Sequence, residues 1–365
     1  MNQITPLFTI IVPAYNVEKY IEECLQSFLR QTEQNFKVII VNDGSTDSTG
    51  VIAQRYAANY PDIFQYIEQE NQGQGAARNT GLACVDTPYV GFLDSDDWLD
   101  CHYIEKVKRE LSRQEEMVDI IFTLPWIYDS ATHQIQAWYD KTLLEQLFYP
   151  YGGDENVPSH IMNVKMERGQ ELYDLEPNVC RRVFRTEFLK QLRFQFPVGL
   201  KWEDVPPHFE TIHCAKCCIA VKGTGFFYRI NTSGQTTAGN GKTRLDIIPV
   251  FSNTIQMATQ NGWSVSEMVH IIKMLWSFTS WSIGVTNSEY IEPLLEGLHG
   301  LFRSIPKKYF TLYLAACSPH RLREKVMTWV LRSPFYSILK DYRTRQKGAV
   351  WAMRFRRLKN AIWRK

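Results

Sequence analysis

The sequence has no uninterrupted apolar run of about 18 residues, the length that a membrane-spanning helix needs. Its opening, MNQITPLFTI, lacks the charged start and cleavage site of a secretory signal. A cytoplasmic chain is expected, with its eight scattered cysteines kept reduced. There is no internal repeat and no low-complexity linker, which argues against solenoids and tethered arrays. With 44% hydrophobic and 22% charged residues the composition is ordinarily globular, so disorder and fibrous architectures are poor readings. A chain of 365 residues is long enough for one sizeable core and a smaller appended module.

Acids are nearly missing from the last stretch. From Arg321 to Lys365 there are 14 Lys plus Arg against 2 acids, while the first 320 residues hold 27 basic and 37 acidic ones. The overall charge of +2 therefore hides an acidic body and a basic tail. In AVWAMRFRRLKNAIW, Trp351, Phe355, Leu358 and Ile362 recur at helical spacing, bordered by Arg356, Arg357 and Lys359. Aromatic and basic residues on one helix suit an anionic membrane surface; the alternative is a helix packed on its own domain with a solvated charged face. No nucleic acid is expected as a partner, because no aromatic platform or recognised motif accompanies the charge.

What is present begins with four apolar runs that read as buried strands: LFTIIV from Leu7, KVIIV from Lys37, IFQYI from Ile63 and YVGFL from Tyr89. Helical spacing separates them. Asn16 is a cap candidate for a helix bearing Val17, Tyr20, Ile21, Cys24 and Phe28, and Asp47 or Ser48 for one bearing Val51, Ile52, Arg55, Tyr56 and Asn59. Strands alternating with helices predict a mostly parallel, nucleotide-binding sheet whose ligand lies beyond the carboxyl ends of its strands. The segments PAYN, NDGSTD and LDSDD all fall at such ends. Residues 129 to 176 show no clear period and read as a variable region beside the crevice. Past Thr237 strand character is lost, and Ile247 to Phe310 reads as helices, one with Met268, Ile271, Ile272, Leu275 and Phe278 on its apolar face.

Four polar segments carry candidate chemistry. In LDSDDW, Asp94 and Asp96 point to the same side of a strand end and suit a hard cation or a ribose; the alternative is an acidic helix cap from Ser95 or Asp97. In VNDGSTDSTG, Asp43 is placed to accept from a nucleobase imide, or else to form turns with Ser45 and Asp47. QENQGQGAARNTGL lacks the third glycine of a dinucleotide fingerprint, since Arg78 stands there, so a Rossmann dinucleotide site is excluded. The Arg78 fork suits a phosphate or the acidic cluster, or it is an ordinary surface arginine. In KWEDVPPHFE, Glu203 and Asp204 precede an expected helix start, where a carboxylate is either a general base or a plain cap.

Together, TIIVPAYN, KVIIVNDGSTDSTG, QENQGQGAARNTGL, YVGFLDSDDW, FRTEFL and KWED resemble the inverting family 2 glycosyltransferases, particularly those that build bacterial surface polysaccharides. The resemblance covers roughly residues 5 to 237. It implies an α/β GT-A fold, a Rossmann-like, mostly parallel nucleotide-binding sheet with a helical C-terminal extension. The expected division is a catalytic domain over 1–237, a helical domain over 238–320 and the tail over 321–365. It further implies that Pro13, Ala14 and Tyr15 line the base pocket, with Asp43 on the uracil of a UDP-sugar and Arg78 near its diphosphate. Asp94 and Asp96 match the Asp-x-Asp that holds ribose and Mn2+ or Mg2+, and Asp204 matches the catalytic base. Arg182 falls where the family often has a lysine near the acceptor or diphosphate. YRINTSGQTT matches a loop that closes over the donor, making Arg229, Gln235 and Thr236 candidate contacts.

The acceptor implied is a saccharide, lipid-linked, at the inner face of the cytoplasmic membrane. Two departures stand out. Pro207 occupies the place of an aromatic residue three after the base, with Phe209 two further on. The cluster Cys214, Cys217 and Cys218 lacks the second ligand pair a structural zinc site usually wants. Alternatives from other classes are a nucleotidyltransferase, which shares the sheet but needs no base at Asp204, and a non-catalytic membrane or nucleic-acid binding protein. In the full set of motifs the cap role attaches to Asp97, and Asp94 and Asp96 go with metal and nucleotide.

Overall fold

The computed structural model describes residues 6–149, 158–165, 168–232, 239, 241–316 and 332. The chain divides into two compact units, Met1–Met257 and Ala258–Lys365. The division at 237 expected from loss of strand character falls inside the first of them.

The first unit opens with β1 (Phe8–Ala14), α1 (Ile21–Leu29), β2 (Phe36–Asp43), α2 (Thr49–Asn59), β3 (Phe64–Gln69), α3 (Gln74–Ala83) and β4 (Tyr89–Phe92). The four strands pair in parallel in the order β3-β2-β1-β4. Every residue of β1 is buried, as parallel strands covered on both faces require. β3 lies at the edge and is only half buried. The chain leaves β1 toward β2 and β3, then returns through α3 to β4 on the other side of β1. That reversal opens a crevice at the carboxyl ends of β1 and β4, where open α/β sheets take their ligands.

Beyond β4 come β5 (Trp98–Leu99), α4 (Tyr103–Ser112), β6 (Ile120–Asp129), β7 (Gln134–Ala137), α5 (Lys141–Phe148), β8 (Met162–Asn163), β9 (Arg182–Arg185), α6 (Thr186–Leu192), α7 (Val205–Cys214) and β10 (Cys217–Ile230). β9 runs antiparallel between β4 and β6, and β10 is parallel to β6. β5 pairs antiparallel with β10 through Phe227 and Trp98. The acidic turn 94–97 is thus anchored by β4 before it and by β5 after it. The mixed α/β sheet and the helices that follow it have the GT-A architecture expected.

Two local expectations are corrected. Asn16 does not cap α1. Its φ is 51°, in the left-handed region that asparagine tolerates, and α1 starts only at Ile21. Of the expected stripe α2 buries Tyr56, alongside Thr49 and Ala53, whereas Val51 is 71% exposed and Arg55 and Asn59 are exposed as well. The cap side chain there is Asp47, whose Oδ1 accepts from the Thr49 N–H at 2.9 Å.

α8 (Ile247–Gln260) spans the division between the units. The second unit contains α9 (Val265–Val285), α10 (Ser288–Ser304) and α11 (Lys307–Ala316). α9 begins in a capping box in which Ser264 and Glu267 satisfy each other's backbone N–H. It buries Met268, Ile271, Ile272 and Leu275, with Phe278 half-buried at the margin of that face. α10 buries Leu294, Leu298, Leu301 and Phe302. Within this unit Arg332 donates to the Phe302 and Ile305 carbonyls at 3.0 and 2.6 Å. The amphipathic stretch through Trp351, Phe355, Leu358 and Ile362 lies outside the described residues. Among the described residues no helix is long and apolar enough to cross a membrane.

Candidate active site

The carboxyl ends of β1 and β2 are tied to each other. Asn16 N–H donates to Ser45 Oγ at 3.1 Å, and Thr46 N–H returns a bond to Asn16 Oδ1 at 2.8 Å. Val17 N–H reaches Thr49 Oγ1 at 2.8 Å, and Glu18 and Asp47 bond across the same gap. These bonds set PAYN beside NDGSTD, with Pro13 and Ala14 buried and Tyr15 48% exposed at the rim.

Asp43 is buried and holds the next turn. Its Oδ1 accepts from Gln69 Nε2 at 2.7 Å and Gln72 N–H at 3.0 Å, and its Oδ2 from Gly73 N–H at 2.8 Å. A carboxylate offers about four lone-pair sites, so one is left beyond these three bonds. The two glycines at the start of α3 have separate reasons. Gly73 sits at φ 90°, strained for any side chain. At Gly75 a Cβ would fall 2.2 Å from the Pro197 carbonyl oxygen, so only glycine lets α3 approach that segment.

Two distant segments converge on one guanidinium. Arg78, on α3, is 1% exposed and donates to three carboxylates: Nη2 to Asp94 Oδ1 at 2.8 Å, and Nη1 to Glu203 Oε1 at 2.9 Å and Asp204 Oδ1 at 2.8 Å. Its plane lies 5.3 Å from the Phe196 ring centre. Arg78 was expected near a diphosphate; the alternative partner, the acidic cluster, is the one that it meets. Burial works against its charge, yet Asp204, Asp94 and Glu203 more than offset this and hold the guanidinium firmly ionised.

Asp204 sits at the start of α7 but does not cap it. A capping oxygen takes the N–H of the second or third helical residue, and here those residues are Pro206 and Pro207, which have none. The carboxylate is freed for Arg78, and its Oδ2 accepts from Val179 N–H at 3.1 Å. Burial, countered by Arg78, raises Asp204 above the usual carboxylate range. Burial likewise lifts Glu203 to about 7 against the pull of Arg78. The packing behind this pair is aromatic after all: Phe209 is fully buried and stacked on Tyr173 with ring centres 5.6 Å apart.

In the acidic turn, Asp94 also accepts from Gln74 Nε2 at 2.7 Å. The Asp96 carboxylate accepts no hydrogen bond from another described residue, and burial followed by the Asp94 charge pushes it up to about 6. Asp97 is not a helix cap; α4 starts after His102. It is 1% exposed, its Oδ1 accepts from Arg229 N–H at 2.8 Å, and its Oδ2 is buried without a partner among the described residues. Burial and the charges of Asp96 and Asp94 raise it well above the usual range. Among the described residues no three His, Cys, Asp or Glu side chains form a complete cation cage. An all-oxygen, mutually repelling turn with unclaimed carboxylate oxygens fits a hard divalent cation that draws its remaining ligands from elsewhere.

Arg182 lies apart from the bonds of this cluster. Fully buried on β9, it donates from Nη2 to His208 Nδ1, while His208 Nε2 donates to the Tyr173 carbonyl at 3.2 Å. Burial and the adjacent Arg181 lower it to about 9. Its hydrogen-bond partner among the described residues is internal, His208, which is itself held by Tyr173. Arg229 is engaged with the acidic turn, and Gln235 and Thr236 lie outside the described residues. The cysteine cluster stands on and just before β10, and the Cys217 thiol donates to Glu116 Oε2 at 3.2 Å. Sequence reasoning missed Gln74, Val179 and the fixed role of Asp97. Val-Pro-Pro after Asp204 was the signal that could have ruled out the cap.

The sequence model of glycosyl transferase family 2 matches residues 9–161. Glycosyltransferase GlyG of Streptococcus pneumoniae is 33% identical over 271 residues, which are 73% of this chain and 85% of that protein. GlyA of the same organism is 28% identical over 275 residues, again 73% of this chain but 37% of GlyA. The minor teichoic acid biosynthesis protein GgaB of Bacillus subtilis is 27% identical over 239 residues, 64% of this chain and 24% of GgaB. The chain thus spans little more than a third of GlyA and about a quarter of GgaB. Among solved structures, S. aureus TarS 1-349 in complex with UDP-GlcNAc has a TM-score of 0.66 at 19% identity, covering 88% of this chain and 89% of that one. The mannosyltransferase PcManGT from Pyrobaculum calidifontis, in complex with GDP-Man and Mn2+, has a TM-score of 0.52 at 17% identity, covering 90% and 86%. Likeness at these identities speaks for the fold.

Proposed function

The chain belongs to glycosyl transferase family 2, and on that premise we propose that it is a metal-dependent inverting enzyme that moves a hexose or N-acetylhexosamine from a UDP-sugar to a saccharide hydroxyl. The acceptor is a lipid-linked saccharide of capsular polysaccharide, O-antigen or lipopolysaccharide synthesis, reached by docking the basic tail on the inner membrane face. The observation that carries the reading is the Arg78 guanidinium, which ties Asp204, the proposed base, to Asp94 of the acidic turn. One buried cation thereby fixes the deprotonating group relative to the donor's diphosphate end.

Asp204 takes the acceptor proton as the hydroxyl oxygen attacks the anomeric carbon, and its raised affinity for a proton makes it a better base than an exposed aspartate. A single displacement inverts the configuration, so no covalent intermediate is required. Asp94 and Asp96 would hold Mn2+ or Mg2+, which stabilises charge on the departing diphosphate. Tyr15 offers an exposed ring beside the base, over a floor of Pro13 and Ala14, and the remaining lone pair of Asp43 accepts from the uracil imide. The UDP-GlcNAc held by TarS supports a UDP donor, whereas GDP-Man in PcManGT means that the fold alone does not choose the base.

The test is transfer from a panel of UDP-sugars with Mn2+. Asp204→Asn should lose about 10²- to 10⁴-fold in rate while still binding donor, and Asp96→Ala should lose the response to Mn2+. Pyrophosphate rather than UDP as product would favour a nucleotidyltransferase, and unchanged activity in both variants would sink the assignment. Repeating the assay on anionic vesicles with residues 321–365 deleted tests the docking, which predicts lost vesicle association with donor binding intact.

A further inference from the structure

Arg229, at the end of β10, was expected to contact the donor. Its surroundings give it another task. The guanidinium lies 4.5 Å from the ring centre of Trp98, 5.2 Å from Tyr20 and 5.4 Å from Tyr128, and its side chain is 9% exposed. Three aromatic walls exclude water from a planar cation and strengthen the bonds that it makes at its edge. Those bonds lead to the acidic turn. Nε donates to the Asp96 carbonyl at 2.7 Å and the backbone N–H to Asp97 Oδ1 at 2.8 Å, while Nη2 is anchored on Glu23 of α1 at 2.5 Å.

We propose that Arg229 is a positioning residue for the cation edge of the acidic turn: it fixes the Asp96 backbone and the Asp97 carboxylate, so that the Asp96 carboxylate is presented to a divalent ion. The inference rests on the metal-dependent reading above but assigns a residue that touches neither ion nor sugar. Four separate segments meet on this one side chain: the turn before α1, α1 itself, β5 and β6. The strand pair that joins Trp98 to Phe227 fixes the far end of the turn, and the stacked Trp98 and Phe227 rings hold the cage wall. Lysine cannot replace it, because a single ammonium lacks the fork that reaches the Asp96 carbonyl and Glu23 together.

The experiment measures Mn2+ affinity by electron paramagnetic resonance of the free ion, with UDP present, in the full chain. Residues that orient a metal's ligands typically govern 10- to 100-fold of its affinity, and about that loss is expected for Arg229→Ala and Arg229→Lys, with a several-fold loss for Glu23→Gln. UDP affinity in chelator should be unchanged. Near-UV circular dichroism reports whether each variant is folded, and if Arg229→Ala is not, the Lys and Glu23→Gln variants decide. Folded variants that bind Mn2+ within twofold of wild type overturn the role of Arg229 alone. A wild-type chain that binds no Mn2+ with UDP overturns the metal-dependent reading and this role with it.

Discussion

The two flanks of the crevice are built by different means. On the β1–β2 side, PAYN and NDGSTD are joined by single hydrogen bonds among exposed or half-buried groups such as Asn16, Ser45 and Thr46. On the β4–α7 side, three carboxylates converge on an arginine that is 1% exposed. Water can substitute for a lost bond on the first flank. On the second, the carboxylates that a deletion would strand are only 9–22% exposed at their side chains, so water replaces the partner only in part and the cost of losing it is set mainly by desolvation.

The sharpest break is therefore at Arg78. Arg78→Met leaves Asp94, Glu203 and Asp204 facing one another without a counter-charge, and removing one member of a buried ion pair costs about 3–5 kcal/mol. Urea denaturation should show a loss of that size, with transfer activity abolished in whatever remains folded. A loss below about 1 kcal/mol would mean that the cluster behaves as a surface pair, and the contrast between the flanks would collapse.

Glu203 sharpens the comparison through pH. Its carboxyl is raised from an ordinary 4.5 to about 7, so the folded state binds this proton more tightly than the unfolded chain does. Between those values the unfolded chain releases the proton first, and the contribution to stability falls as pH rises. Glu203→Gln cannot titrate, so relative to wild type it should gain in melting temperature on going from pH 5 to pH 8. Parallel melting profiles for the two proteins would contradict the shift. No comparable slope is expected between pH 5 and pH 8 from the other flank: the Asn16–Ser45–Thr46 bonds involve no ionisable side chain, and Asp47, lowered against its burial by the hydrogen bonds from Thr49 and Glu18, stays ionised there.

The same contrast decides what was legible in the sequence. β1 to β4 show as apolar runs because strands buried on both faces need continuous hydrophobicity. β6 was passed over: Pro125 within its run argues against a central strand, and the sheet absorbs it by shifting the β6–β10 register on either side of the Leu124 pairing. β9, with Arg182 and Arg185 in four residues, is buried only because β4 and β6 flank it, which no local pattern reveals. The site residues were nameable from their motifs, but not their partners. Arg78 and Asp204 stand 126 positions apart, and nothing local distinguishes a guanidinium aimed at phosphate from one aimed at carboxylates.

The smallest expected effect lies on the first flank, at Asn16. Two features of this residue separate cleanly: its left-handed backbone, φ 51°, and its side-chain oxygen, which accepts from Thr46. Asn16→Ala loses both, trading tolerance of that conformation for a methyl-bearing residue and leaving an exposed N–H that water can satisfy. Asn16→Gly loses only the oxygen, since glycine adopts positive φ without steric cost. The alanine variant should fall by about 1 kcal/mol, or about 2–4 °C in melting temperature for a unit of this size, and the glycine variant by visibly less. If glycine costs as much as alanine, the hydrogen bond rather than the backbone carries the turn, and this flank is more like its buried counterpart than its exposure suggests.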